Sequence, residues 1–339
     1  MTSSALIAGC ASKELTPDEK AFFRAERPWG FILFKRNVET PDQVRRLVDA
    51  FRKCVDRDDA PVLIDQEGGR VQRLGPPHWP VYPSGRDYGA VHANDPFLGR
   101  EIARLGARLM AHDLKALGIT VDCLPVLDVP VPGAHDVIGN RAYSSDPATI
   151  ALLGRAASEG LIAGGVLPVI KHIPGHGRAG ADSHLALPVV DTDRETLSKT
   201  DFLPFRHLAD MPLAMTAHVV YSAIDAKRPA TTSRKVMRDV IRGEIGYDGL
   251  VMSDDLSMQA LAGDFARRAK DSLKAGCDVV LHCNGNMAEM KAIIKAVPEL
   301  KGKAKRRAQQ ALKRISHLPE PFDPVEGRAR LDAALAAGG

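Results

Sequence analysis

Short apolar runs alternate with amphipathic stretches along the whole chain. Candidate strands begin near Ala5, Gly30, Pro61, Thr120, Val166, Leu213, Gly249 and Asp278, and each is followed by at least one segment with helical spacing of its apolar positions. Eight such units predict a parallel sheet built through right-handed crossovers. Helix starts are well marked. Thr16-Pro17-Asp18-Glu19 and Thr40-Pro41-Asp42-Gln43 each offer a capping Thr, Pro at the first helical position, and Glu or Gln three residues after the cap. Asp95-Pro96 and Asp146-Pro147 are further starts. The count favours an α/β protein with a closed (β/α)8 TIM-type barrel, whose chemistry sits on the loops after the strands. A doubly wound nucleotide-binding fold would want a glycine-rich first turn, and the chain has Gly9-Cys10-Ala11-Ser12 there, with no GxGxxG or Walker sequence anywhere. The barrel is expected over residues 1–315 as one domain, with residues 316–339, which carry Pro319, Pro321 and Pro324 before an Ala-rich helix, as a C-terminal tail on it.

Composition supports a soluble globular chain: 45% of the 339 residues are hydrophobic and 26% charged. No stretch approaches the roughly 18 uninterrupted apolar residues of a membrane span. The formal charge of +4 is local, because Lys301, Lys303, Lys305, Arg306, Arg307, Lys313 and Arg314 lie together, and without these seven the balance is 4 − 7 = −3. No aromatic residue interleaves them, so a solvated helix is expected rather than a nucleic-acid surface. Five widely spaced cysteines form neither a disulfide framework nor a metal knuckle and suit a reducing cytoplasm. Ile7-Ala8-Gly9-Cys10 resembles a lipoprotein cleavage site, but six residues precede Ile7 and none of them is basic, so no membrane anchor is expected.

Polar residues gather where strands should end. After the third strand, Asp65-Gln66-Glu67-Gly68-Gly69-Arg70-Val71-Gln72-Arg73 sets paired glycines beside acids and guanidinium groups, a loop that can hold a hydroxylated ligand or simply close an ion pair between Asp65 and an arginine. The fifth strand, read as Gly165 to Ile170, runs into Lys171-His172-Ile173-Pro174-Gly175-His176-Gly177 and then Asp182-Ser183-His184. His172 and His176 have the spacing of a helical zinc pair, but Pro174 and the glycines forbid an ordinary helix there. In Asp182-Ser183-His184 a carboxylate can orient an imidazole if the backbone turns, giving a poised acid/base. The seventh strand, read as Gly249 to Met252, leads into Ser253-Asp254-Asp255, with one Asp assigned to the pocket and the other to support. His218, His282 and Asn284 are weaker candidates, for support or for substrate contact.

Taken in order, Asp65 to Arg73, Ile138-Gly139-Asn140-Arg141, Lys171 to Gly177, Asp182 to His184 and Ser253-Asp254-Asp255-Leu256-Ser257-Met258 resemble the glycoside hydrolase family 3 β-N-acetylglucosaminidases, in particular the single-domain bacterial β-hexosaminidases of cell-wall recycling. The resemblance implies Asp254 as nucleophile, His184 as general acid/base and Asp182 as its partner. It also implies that Asp65, Arg73, Arg141, Lys171 and His172 hold a terminal N-acetylglucosamine. The implied substrate is N-acetylglucosamine β-1,4-linked to 1,6-anhydro-N-acetylmuramic acid, with or without peptide, and no cofactor or metal is implied. A monomer or weak oligomer is expected. A phosphorylase of the same family, a metal-dependent amidohydrolase-type barrel and a catalytically silent sugar-binding protein remain as alternatives.

Overall fold

The computed structural model describes residues 2 to 183 and 186 to 338. Eight parallel strands close into a barrel in sequence order: β1 (Ser4–Ala8), β2 (Pro28–Leu33), β3 (Val62–Ile64), β4 (Val121–Asp122), β5 (Leu167–Ile173), β6 (Leu213–Thr216), β7 (Leu250–Asp255) and β8 (Val279–His282), with β8 pairing back onto β1. Every strand starts within two residues of its expected position. Two of them run further than their sequences suggest. β5 continues through Lys171 and His172, and β7 through Asp254 and Asp255, because main-chain pairing with neighbouring strands persists after the side chains turn polar.

Strand alternation divides the apolar residues into two layers. Ile7, Leu63, Leu213, Met215, Leu250, Met252, Val279 and Leu281 fill the barrel. Their neighbours Leu6, Ala8, Val62, Ile64, Ala214, Val251 and Val280 face outward and pack beneath the helices. The interior is therefore a packed core. The helices are α1 (Pro17–Glu26), α2 (Pro41–Val55), α3 (Gly85–Asn94), α4 (Pro96–Lys115), α5 (Pro147–Ala163), α6 (Arg194–Lys199), α7 (Leu203–His207), α8 (Phe265–Ala275), α9 (Met287–Ile294), α10 (Gly302–Lys313) and α11 (Pro324–Gly338), with a further helical segment at Val236–Glu244. Thr16 and Glu19 form the expected capping box on α1. Thr40 caps α2, but Gln43 reaches one residue further back, to the Glu39 amide. Asp95 and Asp146 cap α4 and α5.

Other readings of the sequence meet structural facts here. The lipoprotein-like segment is barrel strand β1 and its loop, and the buried Cys10 thiol accepts a hydrogen bond from Asn37. All five cysteines are free and buried. The basic helix α10 is only partly a solvated face: Arg306 and Arg307 pair with Asp248, and Arg307 also reaches Asp278 at 3.0 Å. The C-terminal segment packs on the barrel's helical shell, where α11 lies against α3 and α4 and Arg108 stacks over Phe322 at 4.3 Å. Among the described residues, no helix is long and apolar enough to cross a membrane.

Candidate active site

At the C-terminal mouth of the barrel lies a cavity of about 170 Å³ lined by Asp65, Glu67, Arg73, Arg141, Lys171, His172, Asp254 and Asp255, above an apolar floor that includes Ile32, Met215 and Leu281. The β3 loop is shaped to turn back on itself. Gln66–Gly68 pairs antiparallel with Val71–Gln72 across Gly68 and Gly69, both at positive φ. A Cβ at Gly68 would sit 2.0 Å from the Pro83 carbonyl oxygen, so this turn requires glycine. Gln66 then accepts from the amides of Arg73 (3.1 Å) and Leu74 (3.0 Å), returning Arg73 over Asp65.

The mouth holds a connected charge network. Asp65 accepts from Arg73 and from Lys171, both at 2.9 Å. Lys171 also meets Glu67 at 2.6 Å, and Glu67 takes two parallel hydrogen bonds from Arg141, each 2.8 Å. The side chains of Lys171 and Glu67 are only 2% and 3% exposed. Burial alone would raise both carboxylates. Lys171 and Arg73 outweigh it at Asp65 and hold that group well below the usual carboxylate range, while Arg141 and Lys171 bring Glu67 down to about 2. The two acids in turn keep Lys171 charged against its own burial. The ion pair expected between Asp65 and an arginine is thus formed, with Arg73, and both residues line the cavity.

On β5 the register with β6 shifts between Lys171 and Ile173, and Lys171 and His172 both line the cavity, although neighbours on a regular strand point apart. His172 donates from Nδ1 to Asp128 at 2.6 Å, which leaves Nε2 for a ligand. Fully buried Asp128 also accepts from the amides of His172 (3.1 Å) and His176 (2.7 Å). Against burial, His172 and His176 bring Asp128 down to about 2. His176 lies behind His172, with ring centroids 5.6 Å apart, and burial, then the neighbouring His172, pulls it down to about 4. No helix forms across this segment, and among the described residues no group of three or more His, Cys, Asp or Glu is arranged to hold a metal ion.

On β7, Asp254 lines the cavity and accepts from the Asp255 amide at 2.8 Å. The Asp255 carboxylate accepts from the amides of Ser257 (3.0 Å) and Cys283 (3.1 Å), which ties β7 to β8, while Asp255 lines the cavity as well. His218 is buried beneath them, donating from Nε2 to the Asp255 carbonyl at 3.0 Å, and His282 lies 3.9 Å from the Asp255 carboxylate. Both histidines therefore support the mouth from behind. Asn284 faces α9, donating to Glu289 at 2.7 Å.

Asp65, Arg73, Arg141, Lys171, His172 and Asp254 thus come together from the ends of β3, β5 and β7 and the loop before α5. Asp182 is not among the described residues lining the cavity, and His184 lies outside the described residues. The adjoining Ser183 is buried, with its hydroxyl 3.3 Å from His176 and its carbonyl accepting from the Ala260 amide at 3.3 Å. Sequence reasoning missed Glu67 and Asp128. Glu67 stood inside a quoted motif, and Asp128 was signalled by an acid in the otherwise apolar Val126-Leu127-Asp128-Val129.

Comparisons with known proteins point to one family. Residues 18–318 match the model described as the glycosyl hydrolase family 3 N terminal domain. A β-hexosaminidase from Alkalilimnicola ehrlichii is 40% identical over 298 residues, covering 87% of this chain and 84% of its own. One from Bordetella avium is 39% identical over 331 residues, covering 96% and 87%. The structure of NagZ from Neisseria gonorrhoeae in complex with N-trifluoroacetyl-D-glucosamine superposes with a TM-score of 0.87 at 29% identity, covering 100% of this chain and 99% of that one.

Proposed function

Because this chain belongs to glycosyl hydrolase family 3 and is a glycosidase of the β-hexosaminidase type, we propose that it removes terminal N-acetylglucosamine from β-1,4-linked anhydromuropeptides in cytoplasmic peptidoglycan recycling, retaining configuration. The observation that supports this most is one cavity, lined by Asp254 together with the Asp65–Lys171–Glu67 charge network. A carboxylate with neutral hydrogen-bond donors would suit many ligands. One facing fixed cations and anions, at the blind end of a barrel mouth, suits a neutral polyhydroxylated ring whose hydroxyls both donate and accept.

In the proposed reaction an Asp254 carboxylate oxygen bonds to C1 of the sugar as the C1–O bond to the leaving group breaks, and protonated His184 gives its proton to that oxygen. Neutral His184 then takes a proton from water, which attacks C1 and releases Asp254. Two inversions retain the configuration. Asp182 orients His184, while Asp65, Arg73, Arg141, Lys171 and His172 hold the sugar. Retaining glycosidases usually pair two carboxyl groups about 5 to 5.5 Å apart. Here a histidine and its aspartate replace the second carboxyl group. Positioned acid/base assistance contributes about 10² to 10⁴ in rate.

The test is product analysis on aryl β-glycosides that differ only at C2, run with and without phosphate. The expected result is strong preference for the 2-acetamido sugar, and free N-acetylglucosamine as product in both buffers. Preference for a 2-hydroxyl, or formation of a sugar 1-phosphate, would contradict the reading.

A further inference from the structure

We propose that a basic cleft beside the active-site mouth receives an acidic peptide carried by the leaving group of the substrate, an inference that rests on the muropeptide reading above. The cleft encloses about 750 Å³ on the outer wall, between the segment after β6 and α8. Lys227, Arg228 and Arg234 line one side, Arg267, Arg268 and Lys274 the other, and Asp271 is the one carboxylate among its described lining residues. Arg267 meets Asp271 at 3.4 Å. Arg268 is occupied in bracing the β7 loop, donating to the carbonyls of Leu256, Met258 and Gly263. Asp225, close in sequence to Lys227 and Arg228, directs its carboxylate to the Ser233 hydroxyl and the Lys227 amide. Lys227, Arg228, Arg234 and Lys274 make no ion pair among the described residues; the charge of Asp225 reaches Arg228 and Asp271 shares the wall of Lys274, so the cleft holds more cations than the acids near it balance.

Continuity with the active site says where a ligand would come from. The loop leaving Asp254 contributes Met258 to the sugar cavity and Ala260, Leu261 and Gly263 to the cleft. Ala260 is six residue steps along the chain from Asp254, which caps that distance at roughly 20 Å. A leaving sugar bearing three extended residues, about 10 Å of peptide, covers most of such a span. Leu187, 40% exposed at the cleft wall, offers apolar surface to the peptide. The cations are dispersed along both walls, and among the described residues no aromatic side chain lines the cleft for base stacking. That pattern fits carboxylates spaced along a short peptide better than a single phosphate or a nucleic acid.

The experiment compares the wild type with the combined variant Lys227→Ala, Arg228→Ala, Arg234→Ala and Lys274→Ala, all surface positions. Three substrates are used: the N-acetylglucosaminyl-anhydromuramic acid disaccharide alone, the same disaccharide with an acidic tripeptide, and that conjugate with its carboxyl groups amidated. Exposed ion pairs are worth a factor of about 1.5 to 5 each. The wild type should therefore show a KM about 5-fold lower for the acidic conjugate than for the other two, an advantage that shrinks with added salt. The variant should lose that advantage and keep full activity on an aryl N-acetylglucosaminide. Equal KM values in the wild type, or a preference that survives in the variant, would overturn the inference alone. Turnover of the aryl glycoside with no cleavage of any disaccharide would overturn both the muropeptide reading and this inference.

Discussion

Two networks of buried charge sit at opposite ends of the same barrel and do different work. At the mouth, Arg73, Asp65, Lys171, Glu67 and Arg141 are joined in series around a cavity. At the other end, Asp278 bridges Arg242 (2.8 Å) and Arg307 (3.0 Å), and Arg307 also pairs with Asp248. The second network is closed by main chain: Arg242 donates to the carbonyls of Tyr247 and Gly249, each 2.8 Å, and Asp278 accepts from the Val251 amide at 2.9 Å. It clips α10 and the Val236–Glu244 segment to the starts of β7 and β8. The mouth network spends fewer of its groups on main chain and faces open space. The same residue types therefore anchor strands at one end and present polar groups to a ligand at the other, the division expected of this barrel architecture.

The largest effect should come from Asp254→Asn, which removes the proposed nucleophile but keeps its shape. Turnover should fall on the order of 10⁴-fold or more, with the thermal midpoint almost unmoved. Opposed substitutions test the division next. Asp278→Asn leaves Arg242 and Arg307 without their shared counter-charge and should cost about 2 to 4 kcal/mol in denaturant unfolding, with kcat/KM unchanged. Glu67→Gln should instead lower kcat/KM by roughly 10- to 100-fold, because Lys171 and Arg141 lose the charge that positions them. Equal losses of stability and activity in both variants would erase the distinction.

A smaller effect is pH-dependent. Buried His176 stays neutral in the folded chain down to about 4, whereas an unfolded histidine takes a proton near 6.5. Below 6.5 the unfolded state therefore binds the extra proton, and stability should fall as pH drops from 6.5 to 4, by up to about 1.4 kcal/mol per unit from this residue. Thermal midpoints across that range measure the slope, and His176→Asn should flatten it. Smallest of all, Lys303→Glu at an exposed position of α10 should change neither melting temperature nor kcat/KM, since this lysine belongs to neither network.

The barrel was legible because each β/α unit repeats the same switch of hydrophobic period, and the helix starts at Asp95 and Asp146 carry their caps in adjacent residues. Strand ends were less so. Lys171 and His172 read as loop because they are polar, yet their backbone remains paired in β5. What faces what across the mouth was not legible from spacing. Glu67 meets Arg141 from 74 residues away and Asp128 meets His172 from 44, and no periodicity encodes such partners. Arg307 shows the same limit at the other end, a charge in a basic run that reads as solvated and is a buried clasp 29 residues from Asp278.

The most direct measurement is mass spectrometry of the protein after reaction with a 2-fluoro glycosyl donor that carries an activated leaving group. The account predicts a burst of one leaving group per chain and a glycosyl mass increase on the peptide containing Asp254. Steady turnover with no labelled peptide, or a label on any other residue, would contradict it.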